Sequence, residues 1–383
     1  MTAQADIAAI ADGASNPASR VRTALTSVLE NVPVVSVTDY GATGDGTTDD
    51  TAACQAAIHA AEAVTVGIAT VYFPTGVYVV EPLYVESSNV RVVGDGKGSM
   101  LRLAPGTYNP SDSIGVLNFH GTAMERLSGC SVERVAVDGN RSNVTNSGDE
   151  FDLECFSFTY TDEMHVVDCY AIDAYADGFD FDESADGTVR GCYADSCGGA
   201  GFHISINSTR IRVSDSFAYN CGDELSTKRS GFDTVTSVSD SAFINCVARD
   251  CYRGFYLQGT DNSVVGCFSV GGEHNALRVG GVRMVASGCH FTNPATGNVV
   301  TVEAGGDNFT MTGCILNGGV NNIAVISGGD QFCLTGNIGL NSDSVGFNID
   351  ASNGLVVGNV IKNAGGSPID DSGSGNTVIS NEA

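Results

Sequence analysis

Four carboxylates lie within seven residues in the segment Asp177-Gly-Phe-Asp180-Phe-Asp182-Glu183. Alternation along a strand would place Asp180 and Asp182 on one face, about 6.6 Å apart. Asp233 follows on the same face two repeats later, about 9.6 Å away if each repeat rises about 4.8 Å. These spacings bracket the carboxyl separations of glycosidases, and crowding raises the pKa that a general acid needs. Asp180, Asp182 and Asp233 are therefore the candidate acid and base residues.

Polar and aromatic side chains accompany these carboxylates, either on the same face or in the insertion 222–230. The insertion lies in the repeat with the longest spacing and carries local positive charge. Side chains of these types bind sugars by stacking and hydrogen bonding, and we expect the face, including His203, to be exposed. The predicted substrate-binding residues are His203, Tyr256, Gln258, Arg278, Asp177, Lys228 and Arg229.

Two other interpretations of the acidic segment stay open. Clustered carboxylate oxygens suit a structural Ca²⁺, and no other metal or cofactor is predicted. Alternatively, the segment is one patch of a uniformly acidic surface, because the chain has 45 acidic and 18 basic residues and a net charge of −27.

The negative net charge limits the kinds of molecule that the chain can bind. Such a surface repels nucleic acid and anionic lipid, and it repels acidic glycans unless a basic patch or cations intervene. Acid excess with only three lysines favours a protein kept soluble in concentrated salt, and hence a halophilic, haloarchaeal virus-like source. We expect no membrane insertion, because no apolar run reaches about 18 residues. The first residues do not resemble a secretory signal, so we expect the 13 cysteines to be reduced.

One position recurs at intervals of about 22 residues through most of the chain. A fixed period with tolerated insertions is typical of a solenoid whose coils stack on one another. We predict that its small side chains form a ladder inside a turn, with Cys as a small buried hydrophobe and Asn bonding to the next coil. The ladder positions are Cys169, Cys192, Ser216, Cys246, Cys267, Cys289, Cys314, Asn337, Asn359 and Asn381.

A second strand precedes each of the middle ladder positions. These strands read CFSFT, GFDFD, GFHIS, GFDTV, GFYLQ and ALRVG, beginning at residue 155. Alternation sends their Phe, Leu and Ile side chains inward and the intervening polar residues outward. The predicted fold is an all-β, right-handed, single-stranded parallel β-helix.

Residues 35–80 combine a strand, a Gly-rich turn, a helix at about 51–62 and a further strand. The helix is predicted to close the open end of the solenoid. The pieces Asp39-Tyr40-Gly41-Ala42, Gly44-Asp45-Gly46, Thr48-Asp49-Asp50 and Phe73-Pro74-Thr75-Gly76 resemble the opening of the pectate-lyase-3-like β-helix superfamily. That superfamily includes lyases, glycosidases, epimerases and virus tailspikes, so the resemblance implies the fold rather than one activity.

A short helix with an apolar stripe is predicted at 19–32, immediately before this opening. The arrangement resembles the head-to-helix junction of tailed-virus tailspikes. The resemblance implies that residues 1–34 attach to other virion proteins or support a homotrimer, and that residues 35–383 form the β-helix domain. A helix that simply packs on the end of its own solenoid is the alternative.

The segment 177–182 also resembles the Tyr-Gly-Phe-Asp-Pro-His motif of alginate C-5 epimerases and related lyases. Asp180 matches the motif's Asp, whereas Asp177 stands in place of Tyr and Asp182 in place of His. These departures favour hydrolysis by paired carboxylates over epimerisation.

The function that we predict from the sequence is that of a virion tail or surface spike that binds host cell-surface polysaccharide, with possible glycoside hydrolase activity. One alternative is a structural or adhesive virion protein without activity. The other is a free, extracellular polysaccharide lyase or epimerase.

Overall fold

The computed structural model describes residues 33–109, 114–147, 153–222, 229–292, 294–325, 329–379 and 381–382. Across them the chain winds repeatedly through three parallel sheets, with one strand of each sheet per regular coil. The parallel β-helix predicted from the 22-residue period is confirmed.

The first sheet contains 14 described strands. They are Val34–Ser36, Ala69–Phe73, Val90–Gly94, Ser131–Glu133, His165–Val167, Thr188–Arg190, Arg212–Ser214, Ala242–Ile244, Ser263–Val265, Val285–Ser287, Thr310–Thr312, Cys333–Thr335, Leu355–Val357 and Thr377–Ile379.

The second sheet contains 13 described strands. They are Asp45–Asp49, Gly76–Val80, Ser99–Leu103, Ala136–Asp138, Tyr170–Ile172, Tyr193–Asp195, Phe217–Tyr219, Val247–Arg249, Phe268–Val270, His290–Thr292, Ile315–Asn317, Ile338–Leu340 and Val360–Lys362.

The third sheet contains 12 described strands and carries the candidate site. They are Leu83–Val85, Gly115–His120, Glu154–Thr159, Phe179–Asp182, Phe202–Ile204, Ser230–Thr234, Arg253–Leu257, Leu277–Val279, Val300–Val302, Ile323–Val325, Phe347–Ile349 and Ile369–Asp371. Two short pairs lie outside the main sheets: Leu127–Ser128 with Thr161–Asp162, and Gly106–Tyr108 with Val144–Asn146.

One helix, Thr51–Glu62, is described, and it packs its apolar side on the first coils. The N-cap residue Asp50 makes no side-chain hydrogen bond to the first turn of this helix. The Asp49 carboxylate accepts the Thr51 N–H at 3.0 Å, whereas the Asp50 carboxylate turns back to the Thr43 N–H at 2.7 Å. The buried face consists of Cys54, Ala57, Ile58 and Ala61.

Two 3₁₀ turns complete the described helical structure, at Val37–Tyr40 and Arg141–Asn143. The helix predicted at 19–32 lies outside the described residues, so the role of residues 1–34 stays a prediction. None of the described helices has the length and apolar character to cross a membrane.

Stacked phenylalanines fill the solenoid behind the third sheet. Phe156, Phe179, Phe202, Phe232 and Phe255 occupy successive coils, with centroids 4.8–5.0 Å apart and rings within about 10° of parallel. Each is at most 1% exposed. The coil spacing of a parallel sheet, about 4.8 Å, places these rings at stacking distance. The inward direction predicted from alternation is confirmed.

The ladder is buried from Cys169 to Asn359 and half-buried at Asn381, and it is hydrogen-bonded from coil to coil, as predicted. Among its cysteines, the Cys246 N–H donates to the Cys267 Sγ at 3.3 Å, and that Sγ contacts the Phe243 carbonyl at 3.3 Å. In the asparagine part, the Asn337 N–H donates to Asn359 Oδ1 at 2.9 Å. Thiol and amide thus serve the same purpose, because each accepts a backbone N–H from the preceding coil and donates to a backbone carbonyl of that coil. The ladder cysteines are free.

Removing a ladder amide should destabilise the C-terminal coils. Asn359→Ala leaves the Asn337 N–H and the Leu334 carbonyl without their side-chain partner. Buried polar groups that lose their partners cost about 1–3 kcal/mol each, so we expect a loss of about 2–4 kcal/mol in the free energy of unfolding. Asn359→Cys should lose less, because cysteine already occupies this column. The measurement is the urea midpoint, with Asn348→Ala on the outer side of the third sheet as the control.

Candidate active site

The third sheet aligns the predicted site residues in one outward column. Backbone pairing sets Asp180 beside His203 and His203 beside Asp233. The column continues through Tyr256 to Arg278. One residue per coil therefore arrives at the same face, as the alternation predicted. Asp182 lies two positions farther along its strand, beside Thr159 of the preceding coil.

The column is covered at its centre. Asp180, His203 and Asp233 are only 3%, 5% and 3% exposed, although they point away from the phenylalanine core. The expectation that His203 is exposed is therefore wrong. Arg229, which comes from the end of the insertion 222–230, lies against the imidazole ring and covers it. Alternation within one strand does not predict such a contact from another segment.

A histidine–aspartate pair lies at the centre of the column. His203 Nδ1 bonds to Asp233 Oδ1, so the imidazole is held in one orientation. Burial and the charge of Arg229 lower the pKa of His203, but Asp233 and Asp177 outweigh them and the net shift is upward. The pKa of Asp233 is lowered, because His203 and Arg229 outweigh the effect of burial. Asp233 is thus the ionised partner of the histidine.

Arg229 reaches the pair from the end of the insertion 222–230. Its Nη1 lies 3.0 Å from His203 Nε2 and 3.3 Å from Nδ1. An imidazole that donates through Nδ1 to Asp233 accepts at Nε2 when it is neutral. The predicted location of Arg229 beside the site agrees with the structure, whereas Lys228 lies outside the described residues.

The acidic half of the column holds carboxyls of unequal charge. Burial raises the pKa of Asp180 to about 7, with His203 opposing and Asp177 adding to the shift. Burial and Glu183 raise the pKa of Asp182 to about 6. Near neutral pH these two carboxyls are therefore partly protonated, whereas Asp233 is ionised. Asp180 and Asp182 are thus the candidate acids, and Asp233 is the candidate group that orients His203.

Asp177 lies buried beside the acidic half of the column. It is 2% exposed and its carboxylate accepts the Ala200 N–H. A Cβ at Gly199 would lie 2.2 Å from Asp177 Oδ1, so the backbone there must be glycine to admit the carboxylate. Asp177, Asp180 and His203 offer ligand atoms within 4.8 Å of one another. The imidazole nitrogen is atypical of Ca²⁺ sites, which use oxygen ligands, so this set fits a softer divalent cation better.

Replacing Asp180 by Asn should change the pH dependence of stability. An acid whose folded pKa is about 7 instead of 3.8 contributes stability that is present below about pH 4 and lost as the pH rises to about 7. Asp180→Asn stays neutral, so its stability relative to the wild type should rise across pH 4–8 by roughly 2–4 kcal/mol. Urea midpoints across this range measure it. Asp261→Asn, an exposed carboxylate bonded to Arg283, should show no such rise.

Arginines and an aromatic ring line the other half of the column. The Arg278 and Arg253 guanidinium carbons lie 4.9 and 5.8 Å from the Tyr256 ring centroid. Tyr256 donates to Glu303 Oε2 at 2.8 Å, and Glu303 also pairs with Arg278. A pocket of about 170 Å³ opens between the two halves. It is lined by Arg229, Asp233, Thr234, Val235, Arg253, Tyr256 and Gln258.

Two members of this half were missed by sequence reasoning. Arg253 pairs in register with Ser230, one position before the recurring Gly-Phe pair. The repeat would have suggested Arg253, because Asp177 and Arg253 occupy the same position, directly before the Gly-Phe pair, in different coils. Glu303 follows the strand Val300–Val302 and lies in no sequence motif, so nothing in the sequence predicts its contact with Tyr256.

These observations define a parallel β-helix with a polar, partly covered site on one sheet. The family model of rhamnogalacturonase A/epimerase, pectate lyase-like proteins matches residues 34–276. The chain belongs to this family.

Curated relatives include mannuronan C5-epimerase AlgE2 of Azotobacter vinelandii, which is 32% identical over 230 residues. The match covers 56% of this chain and 21% of that protein, so the chain spans about a fifth of the relative's length.

Two solved structures share the fold. The A-module of Azotobacter vinelandii mannuronan C-5 epimerase AlgE6 superposes with a TM-score of 0.73 at 20% identity, covering 91% of this chain and 99% of the module. The Dettilon tailspike protein gives a TM-score of 0.67 at 15% identity, covering 90% and 69%. The suspected relation to tailspikes and epimerases is confirmed at the level of the fold.

Proposed function

We propose that this chain binds a carboxylate-bearing polysaccharide along the third sheet and modifies it by proton transfer next to the sugar carboxylate. The observation that carries the proposal is His203, oriented by Asp233 and set between Asp180 and Arg229. A base, a protonated carboxyl and a fixed cation thus meet at one point of an otherwise acidic molecule.

The arginines support an anionic substrate. A net charge of −27 repels polyanions from most of the surface. Arg229, Arg253 and Arg278 come from successive coils; Arg229 and Arg253 line the same pocket, and Arg253 and Arg278 both lie against the Tyr256 ring. Guanidinium groups bind carboxylates through paired hydrogen bonds. Binding of an acidic glycan would therefore be confined to this half of the column.

The chemistry follows from the groups present. Removing the proton beside a uronate carboxylate creates negative charge on that carboxylate, which Arg229 and protonated Asp180 would stabilise. A substrate carboxylate that draws Arg229 away from His203 Nε2 leaves that nitrogen free to accept the proton. A proton delivered from water to the opposite face of that carbon gives the epimer. If the neighbouring glycosidic oxygen instead departs with the bonding electrons and takes a proton from an acid such as Asp180, a double bond remains in the sugar and the product has an unsaturated end.

The name of the 32%-identical relative, a mannuronan C5-epimerase, supports this class of substrate and reaction. The sequence argument against it was the absence of both the motif's tyrosine, replaced by Asp177, and its histidine, replaced by Asp182. His203 supplies an imidazole from the next coil, beside Asp180, and so answers the missing histidine but not the missing tyrosine.

Hydrolysis is the second candidate, favoured by the pKa values of about 7 and 6 for Asp180 and Asp182. A carboxyl protonated near neutral pH is what a glycosidase uses as its general acid. Asp233 is less suited to the role predicted for it, because it is bonded to His203.

Product analysis on polymannuronate, polyguluronate and polygalacturonate decides between these reactions. An ultraviolet-absorbing unsaturated end supports a lyase, a changed ratio of the two epimers without cleavage supports an epimerase, and saturated reducing ends support hydrolysis. The double variant Asp180→Asn, Asp182→Asn should abolish any of them. Full activity in that variant, or no binding to any acidic polymer by the wild type, contradicts the proposal.

The biological setting that we propose is a virion spike that recognises host surface glycan, acts as a homotrimer and contacts other virion proteins through residues 1–34. The predicted segment at 19–32 and the acidic composition support a spike from a salt-rich environment. A virion protein without activity, or a free extracellular enzyme, would share the same fold. Electron microscopy with antibody against this chain would locate it on or off the particle.

A further inference from the structure

Glu303 contacts two residues in the arginine-lined half of the site column. Its Oε1 pairs with the Arg278 guanidinium, and its Oε2 accepts the Tyr256 hydroxyl at 2.8 Å. Glu303 directly follows the strand Val300–Val302, and its side chain is 26% exposed. A guanidinium and a hydroxyl that both donate to one carboxylate are a donor set that suits any carboxylate, including that of a uronate.

The backbone leaves room for a carboxylate at this place. A Cβ at Gly280 would lie 2.8 Å from Glu303 Oε2 and 3.3 Å from the Tyr256 hydroxyl, so a side chain there would fill the space that the carboxylate occupies. Burial and the bond to Glu303 raise the pKa of Tyr256 to about 12, and its hydroxyl therefore stays protonated and able to donate. The donors and the space belong to residues other than Glu303, so another carboxylate fits the same place.

The charges around Tyr256 favour an anion at this place. Arg278 and Arg253 flank its ring, with guanidinium carbons 4.9 and 5.8 Å from the ring centroid. Burial and the nearby charge of Arg278 lower the pKa of Arg253. Two guanidinium groups this close repel each other, and a negative charge beside them offsets the repulsion. Glu303 supplies that charge in the free protein, and a bound uronate carries the same charge.

The Glu303 side chain can leave this place while its backbone stays in the coil. The Glu303 N–H donates to the Val279 carbonyl at 2.8 Å, and the Glu303 carbonyl accepts the Gly306 N–H at 2.9 Å. Residues 304 and 305, which follow it, are exposed. Rotation about the side-chain bonds therefore brings the carboxylate into water, and the partner of Arg278 is exchangeable.

We propose that Arg278 and Tyr256 form a second carboxylate subsite, which Glu303 occupies in the free protein and which a sugar carboxylate takes over when the polysaccharide binds. Arg278 lies three coils beyond His203, about 14 Å at about 4.8 Å per coil, so this carboxylate belongs to a different sugar from the one that reacts. The inference rests on the proposed binding of a carboxylate-bearing polysaccharide but not on the proposed reaction. Glu303 lowers the affinity for that polymer, because the polymer must displace it.

Glu303→Gln is the test, with the Kd for polymannuronate, polyguluronate and polygalacturonate measured by isothermal titration calorimetry. Glutamine keeps the volume and accepts from Tyr256, but it does not neutralise Arg278. We expect the Kd for whichever polymer the wild type binds to fall about tenfold, because the polymer no longer competes with a carboxylate. Asp261→Asn, which removes a carboxylate from the exposed pair with Arg283, controls for the change in net charge and should leave the Kd unchanged.

A double-mutant cycle with Arg278→Gln identifies the source of the tighter binding. In that background Glu303→Gln should bring no gain, because the cation that it releases is missing. A gain that persists there overturns the inference, as does a Glu303→Gln protein that binds no more tightly than the wild type. Weaker binding would mean that Glu303 only holds Arg278 and Tyr256 in place. These results leave the proposed function intact, whereas absence of binding in both the wild type and Glu303→Gln contradicts both.

Discussion

His203→Gln is expected to lower kcat by about 10²–10⁴-fold on whichever acidic polysaccharide the wild type converts, because this is the usual contribution of a general acid–base residue. Glutamine can keep a hydrogen bond to Asp233, but it cannot accept and return a proton. Binding should persist, because Arg253 and Arg278 remain in place. Initial rates across substrate concentrations separate kcat from KM.

The matched control is His165→Gln on the outer side of the first sheet. His165 Nδ1 lies 2.6 Å from Thr188 Oγ1 and faces no site residue. This variant should keep the wild-type rate. Equal losses in both variants, or a fully active His203→Gln, would show that His203 does not transfer the proton.

Asp233→Asn tests whether the partner carboxylate acts through the histidine. Asp233 raises the pKa of His203, so its removal should shift the histidine limb of the pH–rate profile to lower pH. A merely structural role for Asp233 would lower the rate without moving that limb.

Phe202→Ala should produce the largest loss of stability, about 3–5 kcal/mol in the free energy of unfolding. The ring lies 4.8 Å from Phe179 on one side and 4.8 Å from Phe232 on the other. Removing it leaves a cavity between two coils, and the stacked sheets restrict collapse into the cavity. Urea unfolding followed by far-ultraviolet circular dichroism measures the change in midpoint.

Phe202→Leu should recover part of this stability, because it keeps apolar volume at the position. Tyr40→Ala, at a 44%-exposed aromatic side chain, is the control and should cost less than about 1 kcal/mol. Similar costs at Phe202 and Tyr40 would mean that the phenylalanine stack does not stabilise the solenoid.

The arginines of the site carry the opposite charge to most of the molecule. In the proposed function, the acidic surface repels polyanions from most of the chain, and the arginines of the third sheet bind them at one place. In concentrated salt both effects weaken, since exposed charges are screened at a few ångströms. The buried bond between His203 and Asp233 is screened least and should persist.

Much of the fold was determined by the sequence alone. A period of about 22 residues specifies stacked coils, and two-residue alternation specifies which side chains enter the core. Together they set Asp180, His203 and Asp233 in one column, since equal positions in successive coils must coincide. The ladder of Cys and Asn positions follows from the same periodicity.

The environment of that column was decided by the tertiary structure. The burial of His203 and the approach of Arg229 from the insertion depend on a segment without the period, and the contacts of Arg253 and Glu303 with Tyr256 depend on side-chain packing that the period does not specify. A periodic pattern states the direction of a side chain but not what an irregular loop places above it.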